Sequence, residues 1–168
     1  MINLIVATSI NWIIWKNNKL LWNIPKDLKY FKELTSWNTC IMWRETFDSI
    51  ISILWKPLPN RISFVISRNL EIKKQIEEKY ENVFVFNSIE ELLENIKDDN
   101  YYWVIWWWMI YKSLLPYVDE IYLTKILKTY EWDTSFSFNE NEFSLISKSD
   151  VNVENWIEFI FEKYEKNK

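Results

Sequence analysis

Residues 2–8 (INLIVAT) open the chain as a nearly unbroken apolar run, the pattern of a strand buried on both faces of a sheet. Pro25 begins a helical pattern that runs to Thr35, with proline in the first turn and Leu28, Phe31 and Leu34 as the apolar stripe. Residues 39–42 read as a second buried strand, 45–52 as a second helix, 62–67 (ISFVIS) as a third strand and Val83–Phe86 as a short fourth. Ser88 and Glu91 have the spacing of a capping box and open a helix over 89–96. A strand over 101–105, a helix over 109–115 and a strand over Glu120–Ile126 follow. Residues 142–148 and 157–164 alternate as the two arms of an antiparallel hairpin would. Strands alternating with helices and closing on a hairpin predict an α/β fold, with a mainly parallel central sheet and helices on both faces. No repeat, linker or low-complexity block interrupts the pattern, so residues 1–168 are expected to form one domain.

Composition narrows the chemistry. A chain of 168 residues, 49% apolar and 26% charged, suits a soluble domain that buries roughly 70% of its unfolded surface. Its one cysteine, Cys40, cannot form an intrachain disulfide, and a cytoplasmic setting is expected. With 0 histidines, His-based triads, imidazole acid–base work and Cys/His metal cages are excluded, and no metal is expected. Any general acid must come from a carboxylate, lysine or tyrosine. The net charge of −4 gives no basic excess for nucleic acid. No apolar run reaches ~18 residues and the N-terminus lacks a basic leader region, so neither a membrane span nor a secretory signal is expected.

Two counts do not fit an ordinary domain. At the usual ~7%, a chain this long should hold about 12 glycines; it holds 0 glycines and 12 tryptophans. The tryptophans fall where turns need glycine, which alone enters φ > 0 without steric cost. Asn11-Trp12 and Asn155-Trp156 have the form of Asn-Gly hairpin dipeptides. Trp106-Trp107-Trp108 stands at a strand–turn–helix junction, the place of a glycine-rich loop whose N–H groups approach a phosphate. Trp43 repeats the arrangement before Arg44 and Thr46, and Trp132 precedes Asp133-Thr134 in a turn. A gene in which UGA encodes glycine, translated with UGA as tryptophan, produces this exchange. Most of the tryptophans are therefore expected to stand for glycine.

Asp27 is the most informative acid. It lies in the first turn of a helix beside apolar Leu28 and Phe31, where a carboxyl group gains proton affinity and can supply protons near neutral pH. Spacing alone leaves open an ordinary helix-start carboxylate favoured by the macrodipole.

With tryptophan read as glycine, seven segments fall in register: 4–7 (LIVA), 13–15 (IIW), 22–28 (WNIPKDL), 41–47 (IMWRETF), 56–61 (KPLPNR), 104–111 (VIWWWMIY) and 131–134 (EWDT). In order and spacing, from Met1 to about Thr134, they resemble the dihydrofolate reductase family, and the hairpin tail fits as well. The resemblance implies that family's α/β fold and a hydride transfer from NADPH to 7,8-dihydrofolate. The product is 5,6,7,8-tetrahydrofolate for one-carbon metabolism. It also implies a monomer whose partner is dihydrofolate.

Residue by residue, the resemblance makes Asp27 the active-site carboxylate, Thr124 its hydrogen-bonded support, and Trp22 a genuine indole holding water near the substrate. Ile5, Ala7, Leu28 and Phe31 are implied as pterin and benzoyl walls. Lys32 belongs to the same substrate set, and Arg61 is implied to clamp the glutamate α-carboxylate. On the cofactor side Ala7, Ile14, Trp15 and Leu20 would lie near the nicotinamide, with Leu21 in place of a usual proline. Trp43, Arg44, Glu45 and Thr46 would form one phosphate turn. Ile105, Trp106, Trp107 and Trp108 would form the glycine-rich turn, and Tyr111 would stand near the nicotinamide. Ser67 and Arg68 would meet the adenosine 2′-phosphate and favour NADPH over NADH.

Taken literally, indoles at 43, 106 and 107 would obstruct the phosphate path, which predicts poor NADPH binding by the chain as written. A related reductase of riboflavin synthesis would lack the Asp27 context and Arg61. A tryptophan-rich binding module would line one face with indoles rather than cluster them at turns. An inactive relative with blocked cofactor turns is separated from the enzyme only by the true residues at 43, 106 and 107. Residues 52–55 are longer than the family pattern leads one to expect.

Overall fold

The apolar opening run forms β1 (Ile2–Ser9), buried along nearly all of its length and paired in parallel with a strand on each side. The computed structural model describes residues 1–16, 19–20, 23–97, 99–106, 108–131 and 134–167. β4 (Thr39–Trp43), β5 (Ile62–Ile66), β6 (Val83–Phe86), β7 (Tyr102–Val104) and β8 (Glu120–Ile126) complete the parallel part of the main sheet. β10 (Phe143–Lys148), β11 (Asn152–Glu154) and β12 (Ile157–Lys166) close it in antiparallel fashion, giving the order β10-β12-β8-β1-β7-β4-β5-β6. The expected C-terminal hairpin is present with an addition: β10 and β11 both pair with β12, one after the other.

The connections are α1 (Pro25–Thr35), α2 (Arg44–Leu54), α3 (Leu70–Lys79), α4 (Ile89–Glu94) and α5 (Trp108–Leu114). α1 has the bounds its pattern predicts. α2 continues past the expected stop, so the long stretch at 52–55 is its last turn, ended by Trp55 in the left-handed conformation. α3 was not expected, although Asn69 accepts hydrogen bonds from the Glu71 and Ile72 N–H groups as an N-cap should. The small antiparallel sheet β3-β2-β9, made of β2 (Ile13–Lys16), β3 (Lys19–Leu20) and β9 (Thr134–Ser135), was not expected either.

The core divides by strand periodicity. Leu4, Val6, Ile41, Tyr102 and Val104 face one side of the sheet, and Ile5, Cys40, Met42, Trp103 and Ile105 the other. Ser88 caps α4 by accepting from the Glu91 N–H at 3.2 Å, while the Glu91 carboxylate reaches past it to the Asn87 N–H at 2.6 Å. The box therefore closes one residue upstream of the usual place. Ser88→Ala is expected to cost about 1 kcal/mol, read as a lower urea midpoint.

Candidate active site

A cleft opens over the C-terminal half of β1. Ile5, Val6 and Ala7 form its floor, and the first turns of α1 place Asp27, Leu28 and Phe31 along one wall. Ile14, Trp106 and Tyr111 complete it. Crevices at the carboxyl ends of strands are where open α/β sheets bind ligands. The Tyr111 hydroxyl donates to the Ile5 carbonyl at 2.9 Å, fixing α5 against β1.

Pro25 starts α1 so that Asp27 falls in its first turn, beside the N-terminal end of the helix. Across the cleft floor, Thr124 lies opposite Ala7 in the β1–β8 register, and its Oγ1 donates to Asp27 Oδ1 at 2.5 Å. Burial pushes the Asp27 pKa up from the ordinary carboxylate range, and the Thr124 hydrogen bond opposes that only in part. Asp27 therefore keeps its proton to a higher pH than an exposed aspartate.

Arg61 stands behind Phe31. Its guanidinium carbon is 5.6 Å from the Phe31 ring centroid, its Nε donates to Thr35 Oγ1 at 2.9 Å, and Nη1 donates to the Pro59 carbonyl at 2.7 Å. Nη2 reaches the Lys32 carbonyl at 3.4 Å, so Lys32 contributes its backbone here while its side chain is exposed and does not line the cleft. These partners are all neutral oxygens, and among the described residues no carboxylate pairs with this buried cation. A buried guanidinium without a counter-ion marks a place for an anionic ligand.

Two turns meet beside the cleft. Trp43 ends β4 and offers α2 no side-chain cap, and the first turn of that helix carries Arg44, Glu45 and Thr46. Arg44 is held by acids of its own helix, with Nη1 2.6 Å from Asp48 and Nη2 3.6 Å from Glu45. Thr46 Oγ1 donates to the Trp106 carbonyl, tying this turn to the one after β7. Ile105 is buried, and its N–H donates to the Ile41 carbonyl at 3.0 Å. Ser67, buried at the end of β5, accepts from the Asn69 N–H at 3.3 Å, with exposed Arg68 next to it.

The remaining candidates are placed only partly. Trp15 lies in β2, Leu20 in β3 and Trp108 at the start of α5, by backbone alone. Trp22, Trp107, Leu21 and Trp132 lie outside the described residues. Val6 joins the cleft without having been singled out, because a strand buried on both faces gives no signal of which residues border a crevice.

The cleft has a cavity volume of only ≈ 30 Å³. The Trp106 indole lines it, stacked on Phe31 at a centroid distance of 4.9 Å and an interplanar angle of 19°. The Trp43 indole N–H is buried without an acceptor among the described residues.

A mainly parallel α/β sheet with a half-buried carboxylic acid, an arginine without a counter-charge among the described residues and two helix-opening turns around one cleft fits an enzyme that holds an anionic substrate beside a phosphate-bearing cofactor. The family model described as dihydrofolate reductase matches residues 1–166. The dihydrofolate reductase of Bacillus subtilis is 34% identical, over 99% of this chain and 95% of its own length. That of Haemophilus influenzae is 33% identical, over 98% of this chain and 88% of its own. A solved dihydrofolate reductase from Enterococcus faecalis, complexed with NADP(H) and RAB-propyl, superposes with a TM-score of 0.83 at 30% identity, covering 100% of this chain and 97% of that one. The chain belongs to the dihydrofolate reductase family, whose members are NADPH-dependent oxidoreductases.

Proposed function

We infer that this chain reduces 7,8-dihydrofolate to tetrahydrofolate, as one monomeric, cytoplasmic domain over residues 1–168. The observation that carries the reading is the Asp27–Thr124 pair, a half-buried acid of raised pKa held at 2.5 Å on the wall of the cleft. Bound NADPH supplies the hydride in this family. Asp27 takes the amidine edge of the pterin and keeps a proton available on the N5 side, and Thr124 fixes the carboxyl plane. Trp22 belongs to the same catalytic set through the family resemblance. Ile5, Ala7, Leu28 and Phe31 orient the rings and exclude water, which is where most of the protein's share of such a reaction lies. Arg61 pairs with the glutamate carboxylate.

The polar groups fit NADPH: the open first turn of α2 with Arg44 and Thr46 suits its pyrophosphate side, and Ser67 with Arg68 its 2′-phosphate. The Trp106 indole does not fit, because it lines the narrow cleft and stacks on Phe31, whereas the Trp43 indole packs against the core.

The test is NADPH oxidation followed by near-ultraviolet absorbance on adding dihydrofolate, with glycine at 43, 106, 107 and 108. Oxidation that requires both partners supports the reading, and none from a folded chain overturns it. Arg61→Lys is expected to raise KM for dihydrofolate about 10–100-fold with kcat little changed, because one point charge replaces a bidentate fork. A pterin substrate lacking the glutamate should show no such loss.

A further inference from the structure

We propose that the polypeptide made in its own cell carries glycine at positions 12, 37, 55, 106 and 156, and that glycine at 106 opens the cleft to its ligands. Seven of the described residues have positive φ, and they are Asn60, Asn155 and these five tryptophans, with φ between 36° and 65°. Asparagine visits the left-handed region routinely, whereas a bulky aromatic there is an outlier.

Four of the five sit in turns of different kinds, each with its own demand for glycine. Trp12 follows Ile10-Asn11, and its N–H donates to the Ser9 carbonyl at 3.0 Å, closing a β-turn whose last position favours glycine. Ser36 at φ −61°, ψ 138° and Trp37 at φ 65° are the central pair of a type II turn, closed by the Asn38 N–H to the Thr35 carbonyl at 3.2 Å. Trp55, at φ 59°, ψ 9°, is the left-handed residue that ends α2. Asn155 and Trp156, at φ 51° and 63°, form the two-residue loop between β11 and β12, a type I′ hairpin for which Asn-Gly is the preferred pair.

At three of these turns side-chain packing does not impose the conformation. Trp37, Trp55 and Trp156 are 82%, 86% and 100% exposed, so their turns set φ without help from the indole. Trp106 supplies the independent observation: its ring lines the cleft with Asp27 and stacks on Phe31, where the remaining cavity is only ≈ 30 Å³. Glycine at 106 removes both the ring and the left-handed Cβ. A UGA triplet that the cell delivers as glycine, translated as tryptophan, makes this exchange, and it accounts for 0 glycines beside 12 tryptophans. The backbone also decides position 156. Trp43 and Trp103 lie in strands without a left-handed demand and stay outside the proposal.

The deciding experiment is tandem mass spectrometry of peptides from the protein purified from its source cells. Peptides spanning all five positions are expected to be lighter by the indole-bearing group at each. Tryptophan masses at 37, 55 or 156 overturn the proposal. This readout does not depend on the chain being a reductase. A second arm compares the chain as written with the five-glycine chain by calorimetric titration of NADPH and dihydrofolate. The glycine chain is expected to bind at least ~10-fold tighter, and equal affinity for both ligands overturns the part that concerns the cleft.

Discussion

Replacing Asp27 with asparagine, in the chain carrying glycine at 106, is expected to lower the rate of dihydrofolate reduction about 10²–10⁴-fold, the range that a positioned acid supplies. Asparagine keeps the shape and can still accept from the Thr124 hydroxyl, so the loss isolates the proton. The pH profile gives the sharper signature. Burial raises the Asp27 pKa, so its proton is present at low pH and lost as pH rises through the folded value. The parent rate should fall with it, and the asparagine variant should not follow that fall.

Stability should move the other way. A carboxyl with a raised folded pKa contributes stability that is full below its ordinary value of about 4 and lost as pH rises through the folded value. At neutral pH the ionised Asp27 therefore opposes folding, and Asp27→Asn should raise the urea midpoint there. The gain should shrink as pH falls toward the ordinary value. A variant that keeps its rate, or that is less stable than the parent at pH 7, would remove Asp27 from the proposed chemistry.

The parts of this molecule readable from sequence are those in which local chemistry and tertiary demand agree. α1 has its predicted bounds because Pro25 fixes the start and the apolar stripe faces the core at Phe31. β6 and β8 match because short β-branched and aromatic runs are bounded by turn residues. The β3-β2-β9 sheet has strands of two to four residues, and its pairing of Ile13 with Ser135 depends on chain folding rather than on pattern. α3 was legible in principle: Asn69 is a good N-cap and Ile72 and Ile76 share a face, but its many charges mask the stripe.

The site divides similarly. Asp27 could be singled out from its helix start, yet Thr124 stands 97 positions away and only the strand register brings it to the carboxylate. Arg61 could be named only through the family resemblance, and the three neutral oxygens that leave its charge unmatched appear only in the fold. The glycine-like placement of tryptophan was visible in dipeptides such as Asn155-Trp156, while the type II turn at Trp37 appears only in dihedral angles.

Trp106→Gly alone, in the chain as written, is expected to tighten dihydrofolate binding by about 30–100-fold. The indole opposes the ligand by its stack and by its bulk. Its stack on Phe31 must be broken before a pterin can lie there, an interaction of about 0.5–1.5 kcal/mol beyond the area it buries. Its left-handed backbone adds about 1–2 kcal/mol of strain that bound and free states share unless the residue changes. That strain bears on stability, so the binding gain must come from the stack and from space. The present cavity of ≈ 30 Å³ lies far below the ~300–1,000 Å³ of ordinary ligand sites. Removing a ring that lines the cleft therefore restores contact area as well as sparing the stack, and at about 1.4 kcal/mol per tenfold a gain of about 2–2.8 kcal/mol gives the stated factor. Two further variants separate the causes. Trp106→Ala empties the same space but leaves a Cβ at φ 36°, so it should bind nearly as well as glycine and unfold more easily. Trp37→Gly relieves a turn of the same hand on an exposed surface, so it should raise stability by about 1 kcal/mol and leave binding unchanged. If Trp106→Gly binds no better than its parent while Trp37→Gly is stabilised, the indole strains the backbone but does not block the cleft.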